Sequence, residues 1–191
     1  MGELRIAANL TISGDKAYMY GARNGGYPNS CVWGPNPGLI TTVGLAQATF
    51  QTDGDDPFEV YGDIDVQGKV VNNARFGVQK PENVMKLSTN PKSGSGVWFS
   101  KGGLLEVDAE VSGSATWSIS DDADAVISIK ADCTALTGDV DISKGLLQID
   151  ANFCTTGDLT VEGVNNHLGS DAGSRVWVAR EKSASFGGSC E

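Results

Sequence analysis

LLEVDAEVSG, residues 104–113, alternates without a lapse: Leu105, Val107, Ala109 and Val111 are apolar, and Glu106, Asp108 and Glu110 between them are acids. Successive side chains of an extended chain point to opposite faces, so this period-two pattern gives a strand with one buried and one wet face. AVISIKADC (125–133) repeats it through Ile127, Ile129, Ala131 and Cys133, and GLLQIDANF (145–153) through Leu147, Ile149, Ala151 and Phe153. Leu105 and Ile127 are 22 residues apart, and Ile127 and Leu147 are 20 apart. That spacing suits a β-solenoid coil or a regular up-and-down strand pair. A shorter strand follows each one: ATWSIS (115–120), GDVDIS (138–143) and GDLTVEG (157–163).

The recurrence reaches beyond this region. GELRIAANLTISGD (2–15) aligns without a gap on GLLQIDANFCTTGD (145–158), with Asn9 matching Asn152 and both closing on Gly-Asp. GDIDVQGKVVNN (62–73) is echoed by GDLTVEGVNN (157–166), and SCVW (30–33), SGVW (95–98) and SRVW (174–177) form a third recurring phrase. Their common order predicts internal repetition of one theme: strand, Gly-Asp turn, strand, glycine-rich loop, Val-Trp strand. Repeated strand pairs bury their apolar faces by stacking on one another. Helical signals are poor. KPENVMKL (80–87) suggests one or two helical turns after Pro81, since proline suits a first turn, and VGLAQATF (43–50) is ambiguous.

With 191 residues the chain is long enough for a real hydrophobic core. A formal net charge of −10 argues against nucleic acid as a partner, because phosphate binding needs a basic stripe. No apolar run approaches the length of a membrane span. Met1–Arg5 carries an acid where a signal peptide is basic, so the expectation is a chain made in the cytoplasm without a signal peptide. Cys31, Cys133, Cys154 and Cys190 are too scattered for a disulfide scaffold or a zinc site. They are expected to be small buried hydrophobes, with one exposed thiol near the C-terminus.

Signs of catalysis are few. His167 is the one histidine, with Asp171 four residues on, yet there is no GxSxG elbow and both fall in the loop-like run NNHLGSDAGS (165–174). HExxH, a P-loop lysine and GxGxxG after a strand are absent. Asp63, Asp65, Glu106, Asp108, Asp139 and Asp141 occupy outward positions of alternating strands and are expected on a solvated face. Two clusters, Asp53 to Asp56 and Asp121 to Asp124, fit no calcium-loop spacing and are expected to be solvated turns. Trp33, Trp98, Trp117 and Trp177 could stack on sugars, but tryptophan in a β core is the commoner case. No residue is assigned a catalytic, cofactor-binding or metal-binding role, and no cofactor is expected.

GDIDVQGKVVNNARFGVQKPENVMKL (62–87) and GDLTVEGVNN resemble the Gly-Asp-strand-Gly punctuation of bacteriophage tail fibres, tail spikes and other virion surface proteins. The resemblance spans residues 2–16, 58–88 and 145–180 and lies in repeat style. It implies a non-enzymatic virion structural protein, of capsid decoration, spike or fibre type. Its partners would be other virion proteins and a host glycan, its place the virion surface, and its assembly a homo-oligomer, with a trimer favoured. Gly-Asp-Ile coils are also similar to bactofilins, which gives a polymerising β-solenoid scaffold as the second expectation. A carbohydrate-binding or glycan-degrading module is the third.

The fold expected is all-β, with repetitive Gly-rich strands as a β-solenoid, β-prism-like or jelly-roll sandwich in a symmetric oligomer. The segments are an N-terminal β segment with a long Gly/Pro loop (1–57), a second β repeat (58–102) and C-terminal β repeats (103–191), with a single domain as the alternative.

Overall fold

The computed structural model describes residues 3–6, 10–13, 17–20, 38–42, 45–51, 58–61, 63–162 and 173–188. These form strands and no helix. In chain order the early strands are β1 (Glu3–Ile6), β2 (Leu10–Ser13), β3 (Ala17–Tyr20), β4 (Gly38–Thr42), β5 (Ala48–Gln51) and β6 (Phe58–Tyr61). The middle of the chain supplies β7 (Ile64–Val66), β8 (Val70–Asn73), β9 (Arg75–Val78), β10 (Val84–Ser88), β11 (Lys92–Gly94), β12 (Val97–Ser100), β13 (Leu104–Asp108), β14 (Ser112–Gly113) and β15 (Thr116–Ile119). Then follow β16 (Val126–Ile129), β17 (Cys133–Leu136), β18 (Val140–Ile142), β19 (Leu146–Ile149), β20 (Phe153–Thr155), β21 (Leu159–Val161), β22 (Arg175–Val178) and β23 (Ala184–Ser185).

Every third strand is a neighbour. β1-β4-β7-β10-β13-β16-β19-β22 make the first face and β3-β6-β9-β12-β15-β18-β21 the third. The second face is in two pieces, β2-β5-β8-β11 and β14-β17-β20-β23. Pairing is parallel throughout, for example Leu105 on Ile127 and Ile127 on Leu147. Three short strands per coil, each hydrogen-bonded to its equivalents above and below, define a β-solenoid. The jelly-roll option would need antiparallel partners. Ile64, Met85, Leu105, Ile127 and Leu147 are successive register partners, 21, 20, 22 and 20 residues apart, so the sequence spacing is the coil length.

The core runs along the axis as columns of stacked side chains. Met85, Leu87, Leu105, Val107, Ile127, Ile129, Leu147 and Ile149 of the first face are at most 1% exposed. Aromatic rings cross from the other two faces: Phe50 against Phe76 at 4.7 Å, Phe76 against Trp98 at 5.8 Å, and Trp117 against Phe153 at 6.2 Å. Each buried aliphatic side chain contributes about 1.5–3 kcal/mol, and the alternation of the sequence sets which ones turn inward.

Two expectations are corrected, and one ambiguous stretch resolves as a strand. KPENVMKL is a β-turn followed by a strand: the Asn83 N–H donates to Lys80 O at 3.0 Å, and β10 starts at Val84. Met85 and Leu87 are two apart, so a strand carries both into the first-face columns, and that ladder outweighs proline's helix-starting preference. VGLAQATF ends in β5, also a strand. Cys154 is disulfide-bonded, whereas Cys133 is free and buried; Cys31 and Cys190 lie outside the described residues.

The repeated phrases do not all share a position in the coil. β1 and β19 are both on the first face, and β2 and β20 both on the second, as the alignment of GELRIAANLTISGD on GLLQIDANFCTTGD requires. GDIDVQG, however, leads into β7 on the first face, while GDLTVEG leads into β21 on the third. Val97-Trp98 is on the third face in β12, Val176-Trp177 on the first face in β22, and residues 30–33 lie outside the described residues.

Candidate assembly surface

On the outside of the first face, side chains of successive coils pair off. Asp65, Lys86 and Glu106 are register partners. Lys86 Nζ lies 3.0 Å from both Glu106 Oε1 and Asp108 Oδ2, and Lys130 Nζ lies 2.5 Å from Glu106 Oε2. Burial pushes the Glu106 carboxyl up, but the Lys130 and Lys86 ammonium groups outweigh it and leave it below its ordinary value. Hydrogen bonds to Asp108 and Glu106 raise Lys86. Asp65 accepts from Ser88 Oγ at 2.5 Å and Gln67 Nε2 at 2.8 Å.

Corner acids, among them Asp63 and Asp139 of the outward set predicted from alternation, also have a task that alternation does not reveal. Asp63 Oδ1 accepts the Val84 N–H at 2.9 Å, Asp139 Oδ1 the Asp158 N–H at 2.9 Å, and Asp132 Oδ1 the Asn152 N–H at 2.8 Å. In each case a corner carboxylate ties its own coil to the next. The Asn152 N–H, seconded by the Asn152 side-chain amide, holds the Asp132 carboxyl below its usual range.

The Asp121–Asp124 cluster forms a turn, with Asp122 Oδ1 accepting the Asp124 N–H at 3.0 Å and Lys101 Nζ 3.4 Å from Asp121. Among the described residues no group of three or more His, Cys, Asp and Glu could hold a metal ion. His167, Asp171, the Asp53–Asp56 cluster and Trp33 lie outside the described residues. Trp98 and Trp117 are core residues, and Trp177 is half exposed.

A buried cation was not foreseen. Lys92 is fully buried in β11, in register with Val70 and bridged to Val111. Its Nζ donates to Ser88 O at 2.9 Å and to Asn90 O. Between those carbonyls Thr89 adopts a φ of 64°, in the left-handed region that β-branched residues avoid. Desolvation lowers the Lys92 ammonium to about 8, against an opposing pull from Asp65. Once the 22-residue step from Val70 is laid down, the sequence does signal this, because a lysine then falls in an apolar column.

The last coil differs from the rest. Val176 and Val178 continue the columns of Leu147 and Ile149, their register partners in β19, yet they are 36% and 37% exposed, and Trp177 between them is 49% exposed. Among the described residues no strand pairs with the outer edge of β22. Among the described residues the first-face columns therefore end here on part-exposed apolar side chains. Comparisons with protein-family models, curated proteins and solved structures find no match to this chain.

Proposed function

We propose that the protein is a non-enzymatic virion structural protein, a β-solenoid surface component of capsid decoration, spike or fibre type that binds neighbouring virion proteins. The observation that carries this reading is the pairing-off of side chains. The described interior is packed column on column, Lys86, Lys130, Glu106 and Asp108 satisfy one another across coils, and three of the exposed large hydrophobics, Val176, Trp177 and Val178, gather on the edge strand β22. Such a molecule is suited to holding shape and joining neighbours. Its excess of acids favours dispersal away from nucleic acid. The test is sedimentation of lysates, with an antiserum against the chain and gold labelling of the pelleted particles. Label on particle surfaces is expected; a chain confined to the soluble fraction removes the proposal.

A polymerising β-solenoid scaffold is the second reading, favoured by the open edge of β22. It requires filaments of the purified chain in negative-stain micrographs.

A further inference from the structure

Deepening the assembly reading, on which it rests, we propose that the open edge of β22 pairs with the same edge of a second copy, antiparallel about Trp177, to form a two-fold dimer. Arg175 and Ala179 donate their N–H groups to Gly145 O and Ile149 O, each at 2.8 Å, and so face β19. Alternation along an extended chain then turns the N–H and C=O groups of Val176 and Val178 toward the open edge.

The exposed triplet Val176-Trp177-Val178 reads the same in both directions. Antiparallel pairing centred on Trp177 sets Val176 opposite the second copy's Val178, and Val178 opposite the second copy's Val176. Those are the residues whose backbone groups are turned outward, so both pairs are of the hydrogen-bonded kind. Trp177 faces its own equivalent as the non-hydrogen-bonded pair, in which side chains approach most closely. The valines continue the inward columns of each copy, and the two indoles meet on the outer surface. A two-fold contact needs one self-complementary patch, and this end of the chain supplies it.

The test uses the full 191-residue chain. Light scattering after size exclusion is expected to give twice the 19.9 kDa chain mass. Trp177→Cys, mildly oxidised, is expected to give a disulfide-linked dimer above the level of the unsubstituted chain, because non-hydrogen-bonded pairs stand about 4.5 Å apart at Cα, within disulfide reach. Val176→Cys, whose opposite number is Val178, is not. Trp177→Glu, which sets two carboxylates face to face, should weaken dimerisation roughly tenfold or more with an unchanged far-ultraviolet circular dichroism spectrum. A monomeric parent chain, a trimer, a filament, or equal cross-linking through positions 176 and 177 overturns the inference. Sedimentation with particles separates it from the functional reading: a chain that binds particles without dimerising sinks this inference alone, and a dimer that never binds them sinks the other.

Discussion

Lys92 is the residue where burial and charge conflict most. In unfolded chain its ammonium keeps an ordinary value of 10.5, and in the fold desolvation lowers it to about 8. Below pH 8 both states are protonated and the fold carries the full penalty of a buried charge. As pH rises from 8 toward 10.5 the folded state sheds its proton first, so stability rises through that window. Lys92→Met removes the linkage. The stability difference between parent and variant should therefore shift by about 2 kcal/mol in the parent's favour from pH 7 to pH 9.5, measured by urea unfolding at both; a constant difference contradicts the burial argument. Thr89 stands beside it at φ 64°. There, Thr89→Gly should raise stability by about 1 kcal/mol and leave the spectrum unchanged. Cys133, fully buried and pushed up to about 11 by desolvation, should resist alkylation in native chain and react once urea opens it, as peptide mapping would show.

At the scale of strands and corners, the Gly-Asp turn is the repeated device. Gly157 lies where an added Cβ would sit 2.3 Å from Gly138 O, so glycines stack where coils approach closely. Gly157→Ala should cost several kcal/mol, visible in a thermal melt. Asp139 beside it acts through its oxygen, which accepts the Asp158 N–H. Asp139→Asn keeps an acceptor and should be nearly neutral, while Asp139→Ala should lose about 1 kcal/mol; equal losses would make it only a solvated charge. This role explains why the sequence revealed so much of the fold and misled on its symmetry. Alternation exposes strands whatever their neighbours, and Leu105, Ile127 and Leu147 carry the coil length in plain view. Yet GDIDVQG carries β7 on the first face and GDLTVEG carries β21 on the third, so one phrase serves two faces. Trp98 and Trp177 share a Val-Trp phrase and have opposite fates, because Trp98 is an inward position in register with Phe76 and Trp117, whereas Trp177 is an outward one in register with Gln148. Lys92 shows no charge partner or motif along the chain, and only the register betrays it.

In the molecule as a whole the three faces are unequally knitted. The first and third run unbroken through their described strands, whereas the second divides between β11 and β14. The join there is carried by the Lys92 N–H to Glu110 O at 2.9 Å, the Ser114 N–H to Gly94 O at 3.0 Å and the Lys92–Val111 bridge. Gly94 and Gly113 on either side have φ of 136° and 99°, so the backbone leaves strand geometry just where a ladder would need it. A stack of this kind is stabilised chiefly by nearest-neighbour contacts. Its weakest coil junction is therefore where opening begins, and protection from hydrogen exchange tracks the cost of that opening. The amides of Ser112 and Gly113 should accordingly exchange faster than those of Val107 and Trp117, which lie in the same coil on the continuous faces. Exchange measured by mass spectrometry at neutral pH, on peptides that divide residues 104–119, makes the comparison within a single coil and so cancels any difference between the ends of the stack. Equal protection on all three faces would mean that the filled core alone fixes stability and that the break in the second face is energetically silent.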